Sequence, residues 1–109
     1  MDTNNYKVIF TDTAEAELDG IYDYISKTLL SENSAKKLME KVEEKTLKLE
    51  LFPESCSIAD GYLISNIQYR KLVVDNYILL YHIDESEKQV NIIHVFYGRR
   101  NYLKDVEIK

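Results

Sequence analysis

Arg70 and Lys71 stand side by side, Arg99 and Arg100 form a second pair, and Tyr69, Tyr77, Tyr81, Tyr97 and Tyr102 lie between and beyond them. These residue types suit an anionic, base-bearing ligand. Arginine holds a phosphate through a fixed fork of donors and keeps its charge. Aromatic rings stack on exposed bases. A metal-free ribonuclease needs such parts: one group to take the proton from a 2′-OH, one to hold the developing phosphorane charge, one to protonate the leaving oxygen. The same set also has an ordinary reading. Strand tyrosines pack cores and cross-strand pairs, and two bases at a strand end are usually solvated.

Other chemistries find less material. His82 and His94 each fall inside a predicted strand, and no Cys–His or carboxylate cluster has ligand spacing around them, so no metal or cofactor is expected. Cys56 is the only cysteine and has no nucleophile motif about it. With 3 glycines in the chain there is no glycine-rich phosphate loop.

Length and composition bound the frame that must position these residues. A chain of 109 residues with 45% apolar and 30% charged residues reads as one globular domain, 1–109, able to bury a core without staples. One thiol forms no internal disulfide, and the polar start Met1-Asp2-Thr3 carries no signal segment; a cytoplasmic location, with no membrane partner, is the expectation. The net charge of −5 is unevenly spread. Residues 1–60 hold 13 acids and 7 bases, a balance of −6, and residues 61–109 hold 6 acids and 7 bases, a balance of +1. All three arginines are in the second part. The acidic total argues against non-specific nucleic-acid binding, which rests on summed positive charge, but permits a local cationic site.

The elements follow from periodicity. Residues 6–11 (YKVIFT) read as a strand. Thr11-Asp12-Thr13 offers N-cap oxygens, and Leu18, Ile21, Tyr22, Ile25 and Leu29 make one apolar stripe, predicting a helix over 13–29. After the cap cluster 31–34, Ala35, Leu38, Met39, Val42, Thr46, Leu49 and Phe52 predict a second helix, ended by Pro53 and folded back on the first. Residues 54–67 read as a loop with a turn at Asp60-Gly61 and a short strand near 62–64. Strands at 69–74 and 77–83 flank an Asp75-Asn76 hairpin, a last strand covers 90–97, and 99–109 is a charged tail with helical potential. The fold class is α+β, in the order β-α-α-β-β-β. A helical hairpin packs on one face of a twisted antiparallel sheet, and the other face is at least partly open.

Three segments, YKVIFTDTAEAELDGIYDYI, LELFPES and YRKLVVDNYILLYHID…VNIIHVFYGRRNY, resemble in order and spacing the RelE/ParE superfamily of toxins from type II toxin–antitoxin systems. The resemblance spans about residues 6–102 and implies the same two-helix, twisted-sheet fold. It implies a growth-arresting toxin neutralised by a cognate antitoxin. RelE-like members cleave mRNA in the ribosomal A site without metal, and ParE-like members poison DNA gyrase and are not nucleases; a homologue that keeps only antitoxin binding is a third reading. By the resemblance, Lys71 and Arg100 match RelE-like catalytic positions, Arg99 is a further cation, Tyr102 is the late tyrosine, and Arg70 and Tyr81 are candidates for RNA contact. This sequence departs from the nuclease pattern after Tyr77, where Ile78 replaces an arginine. Tyr102 also falls only two residues beyond Arg100. The leading reading is the ribosome-dependent nuclease, whose partners are the ribosome and mRNA, with Lys71, Arg99, Arg100 and Tyr102 as catalytic residues; the alternative partner is DNA gyrase. Antitoxins of this class wrap their toxins, so exposed apolar surface is expected, together with a tendency to self-associate when the antitoxin is absent.

Overall fold

Thr11 turns the first strand into the first helix. Its backbone is extended and its hydroxyl accepts the Ala14 N–H at 3.1 Å, satisfying one of the helix's orphan donors. The computed structural model describes residues 5–64 and 67–98, with the backbone alone for 60–64. Its elements are β1 (Lys7–Phe10), α1 (Asp12–Asp23), a π-helical turn (Tyr24–Thr28), α2 (Glu32–Lys48), β2 (Ser57–Ile64), β3 (Ile67–Val74), β4 (Tyr77–Asp84) and β5 (Gln89–Tyr97).

The first helix is not one α-helix to Leu29. It widens at the π-turn, where the Leu29 N–H reaches back to the Tyr24 carbonyl at 3.0 Å. Leu30 then takes a left-handed backbone, φ 54°, and the Ser31 N–H bonds the Ile25 carbonyl at 3.0 Å. That is the geometry of a helix C-cap, usually given to glycine. The second helix stops at Lys48 rather than running to Phe52. Leu49 and Glu50 bond carbonyls three residues back, so the chain tightens before Pro53 and buries Leu49 as it does so.

The strand order is β1-β5-β4-β3-β2. Strands β2 to β5 form an antiparallel ladder, while β1 pairs parallel with β5 through Lys7↔Gln89 to Phe10↔Ile92. Two helices carry the chain across to the far edge, and three antiparallel steps return it beside β1 in the same direction. The α+β class with the helices on one face therefore holds, with a sheet that is mixed at one edge. Residues 57–60, expected to be loop, belong to β2. Asp60-Gly61 makes no turn there: it lies within the strand, where the register slips between Ile58↔Arg70 and Leu63↔Gln68. A glycine inside a strand marks such an irregularity as readily as a turn. The Asp75-Asn76 hairpin forms as expected, with Val74 paired to Tyr77 and Asp75 at φ 55°.

Ala14, Leu38, Val42 and Leu49 pack on the sheet residues Leu72, Val74, Leu79, Tyr81, Val90, Ile92 and Val95. A second cluster, Ala59, Tyr69, Ile78 and Leu80 with Ile93 and Phe96 against it, lies on the opposite face. Successive strand residues alternate faces, so β4, buried at each of 78–81, contributes to both clusters. Among the described residues no helix is long and apolar enough to cross a membrane.

Candidate functional site

Strand β3 sends its two basic residues to opposite faces. Arg70 pairs with Tyr81 on the helix side; Lys71 pairs with Leu80 on the other face, with Ser57 of β2 on its far side. The Arg70 guanidinium is committed to backbone. Nη1 donates to the Cys56 carbonyl at 2.7 Å and the Glu54 carbonyl at 3.4 Å, tying the segment after Pro53 to the sheet. Tyr81 completes that tie. Its ring is fully buried, and its hydroxyl donates to the Pro53 carbonyl at 2.7 Å. Burial, then a contact with the Cys56 side chain, pushes its pKa well above the ordinary phenol value. The Tyr81 ring, expected as an RNA contact, has no exposed face to offer a nucleobase.

Ile78 is 6% exposed and belongs to the cluster opposite the helices. It packs on Gly98: an added Cβ there would stand 2.8 Å from Ile78 Cγ1. The Gly98 N–H donates to the Asn76 carbonyl at 2.6 Å, which fixes the point where the chain leaves the sheet. Arg99, Arg100 and Tyr102 lie outside the described residues. Of the expected site, the described structure thus places Lys71 on the face opposite the helices, with Tyr69 and His82 in edge-to-face contact on the same face (ring centroids 5.7 Å apart). Among the described residues, no group of three or more His, Cys, Asp and Glu is arranged to hold a metal ion.

Two features escaped the sequence reading. The first is at the edge of β5. An extra residue, Ile93, interrupts the β4–β5 register just where β1 ends. Thr11 bridges the gap, its N–H on the Ile92 carbonyl at 3.0 Å and its hydroxyl toward the Ile93 carbonyl at 3.4 Å. Beyond it, Glu17 of α1 accepts the Val95 N–H at 2.7 Å and lies 3.3 Å from His94 Nδ1. A helix carboxylate thereby satisfies part of a strand edge that β1 leaves uncovered. Nothing in the spacing of Glu17 and His94, 77 residues apart, signals this.

The second is a groove of about 770 Å³ beside that edge. Gly20, Ile21 and Tyr24 form one wall, Leu29 closes an end, and Tyr77 and Tyr97 form the other wall. The two wall tyrosines meet edge to face at 5.5 Å. Burial raises the Tyr77 pKa, and the phenols of Tyr97 and Tyr24 raise it further. Tyr24 and Leu29 are each more than half exposed. Among the described residues, Glu17 is the one charged residue lining the groove.

The family model of the ParE toxin of the type II toxin–antitoxin system, parDE, matches residues 8–102. No curated protein sequence matches the chain. Among solved structures, a chain of the chromosomal ParDE system from P. aeruginosa superposes with a TM-score of 0.68 at 18% identity, over 87% of this chain and 98% of that one. A chain of the archaeal RelE-RelB complex from Pyrococcus horikoshii OT3 gives 0.60 at 14% identity, over 88% and 98%. The isolated E. coli RelE toxin gives 0.54 at 17% identity, over 94% and 95%. At these identities the superpositions speak to fold alone.

Proposed function

This chain belongs to the ParE toxin family of type II toxin–antitoxin systems, and we propose that it arrests growth by binding a protein target, DNA gyrase, rather than by cutting mRNA. The observation that carries this reading is Ile78. The position at which the resembled nucleases carry an arginine holds a buried aliphatic side chain, packed into an apolar cluster and against Gly98. An aliphatic side chain there offers no cation to a scissile phosphate. Two further facts agree. Arg70 holds the 54–56 backbone through Nη1, and Tyr81 is buried, with no ring face presented to a base.

Lys71, Arg99 and Arg100 remain the residues expected to form the working surface, as contacts to a protein target. A cognate antitoxin is the expected regulator; relatives of this fold were solved as the archaeal RelE-RelB complex and the M. tuberculosis RelBE2 toxin–antitoxin complex. Controlled expression, followed by mapping of mRNA ends and DNA breaks, tests the reading. DNA breaks that depend on gyrase are the expected result. Codon-phased mRNA cuts, lost when Lys71 or Arg100 is replaced by alanine, would overturn it in favour of ribosome-dependent cleavage. Normal growth with neither would identify a homologue that only binds its antitoxin.

A further inference from the structure

The end of α2 and the turn after it leave an apolar knuckle in the open. Leu47, Leu51 and Phe52 are 52%, 58% and 63% exposed, although the backbone beneath them is tightly held. The Phe52 N–H donates to the Lys48 carbonyl at 2.9 Å, and the Ser55 N–H donates to the Phe52 carbonyl at 3.1 Å. The Tyr6 N–H donates to the Glu50 carbonyl at 2.8 Å, while Tyr81 and Arg70 hold the carbonyls of Pro53 and Glu54. Exposed apolar side chains on a fixed backbone lose little freedom when a partner covers them. Beside Phe52 lies a hollow of about 560 Å³, lined by Leu51, Pro53, Tyr6, Glu54 and Lys88. Lys88 has a left-handed backbone, φ 56°, a setting that favours glycine. It nevertheless carries a long charged side chain, with Nζ 4.7 Å from the centre of the Tyr6 ring. Glu54, on the same hollow, is exposed, and among the described residues neither it nor Lys88 has an ion-pair partner.

A hollow, a plug beside it, one acid and one base make a patch that fits itself. A two-fold axis sets each such group of one copy against its complement on the other. We propose that two copies of this chain pair through this patch, each placing Phe52 in the other's hollow and Lys88 against the other's Glu54. A partner of one charge sign would leave either Glu54 or Lys88 facing its own kind; a second copy satisfies both. The patch is small beside the roughly 800 Å² per partner of a standard interface, so the pair is weak, with a dissociation constant of about 10–100 μM. The hollow lies at the Lys88 end of β5 and the tyrosine groove at its Tyr97 end. Pairing therefore leaves the groove open on both copies, and it is independent of the target on which the chain acts.

Sedimentation of the full chain alone, between about 1 μM and about 1 mM, tests this. The wild type is expected to pass from monomer to dimer over that range. Phe52→Glu puts a charge in place of the plug and sets it beside Glu54. It should stay monomeric throughout, with its thermal melt at the wild-type position because Phe52 is mostly exposed. Lys88→Glu and Glu54→Lys should each weaken pairing roughly 10-fold, through like charges across the axis. Combined in one chain, they exchange the two charges and should restore pairing to within roughly 3-fold of wild type. This charge series keeps the test standing if Phe52→Glu fails to fold. Tyr24→Ala, in the groove at the other end of β5, should dimerise as the wild type does. A wild type still monomeric at the top of the range overturns the proposal. So does a dimer that Phe52→Glu leaves intact or that Tyr24→Ala abolishes, since either places the contact elsewhere. A double charge variant that pairs no better than the single ones overturns it as well.

Discussion

Gly98→Ala should be disproportionately costly for a one-carbon change. The new Cβ would lie 2.8 Å from Ile78 Cγ1, 3.0 Å from its Cδ1 and 3.2 Å from the Asn76 carbonyl oxygen. Carbon atoms rest at about 3.5–4.0 Å, so something must open by roughly 0.7 Å. Ile78 has little room to yield, being buried among Leu80, Tyr69 and Ala59. The backbone has little more, since the Gly98 N–H is held on the Asn76 carbonyl. Overpacking of this kind costs about 1–3 kcal/mol, and each kcal/mol shifts the melting temperature of a protein of this size by about 4–8 °C. The assay is urea unfolding of Gly98→Ala, Ile78→Ala and the double variant, followed by circular dichroism. Ile78→Ala alone should cost about 2–5 kcal/mol. The double variant should cost less than the two singles together by about 1 kcal/mol or more, because truncating Ile78 removes both carbons that the new methyl meets. Additivity within about 0.5 kcal/mol, or a Gly98→Ala variant as stable as wild type, would refute the packing described here.

Tyr81→Phe should lose about 1 kcal/mol, the hydrogen bond to Pro53, measured by the same unfolding assay; hydrogen exchange in 53–57 should rise. Leu30→Gly should gain about 0.5–1 kcal/mol, since Leu30 is 84% exposed and its left-handed backbone carries a strain that glycine lacks. A melting temperature below wild type would contradict it. Asp84 accepts from the Ser86 hydroxyl and the Glu87 N–H, which hold its pKa below the ordinary carboxylate value. A depressed pKa supplies stability above the unfolded-state value that is lost as pH falls through the folded one. Asp84→Ala should therefore flatten the acid limb of the stability curve below about pH 4 and leave its shape near neutrality unchanged.

The helices were legible because each carries its own punctuation. Thr11 was in reach as a cap, and the stripe from Leu38 to Leu49 has one period throughout. Strands β3 and β4 were legible from apolar runs flanking a pair tolerant of positive φ. Strand β2 was not, because Ser57 to Asp60 has no alternation and its register slips midway. The parallel pairing of β1 was not legible either: it depends on where the helices deliver the chain. Lys71 and the departure at Ile78 came from the family resemblance rather than from local pattern. The burial of Tyr81 and the commitment of Arg70 are set by the Pro53 segment, whose path no local signal gives. The groove was invisible, since Gly20, Tyr24, Tyr77 and Tyr97 meet only after both helices and four strands are in place.

The pairing of β1 with β5 also bears on timing. Contacts such as Thr11 with Ile93 join residues 82 apart, and contacts that distant form late and slowly. As the chain is made from its N-terminus, the helical hairpin emerges long before the strand that completes its floor. Until residues near 92 are available, β1 has no neighbour, Glu17 has no strand edge to cover and the tyrosine groove has only one wall. A chain built this way presents the finished groove only after the last strand has closed the sheet.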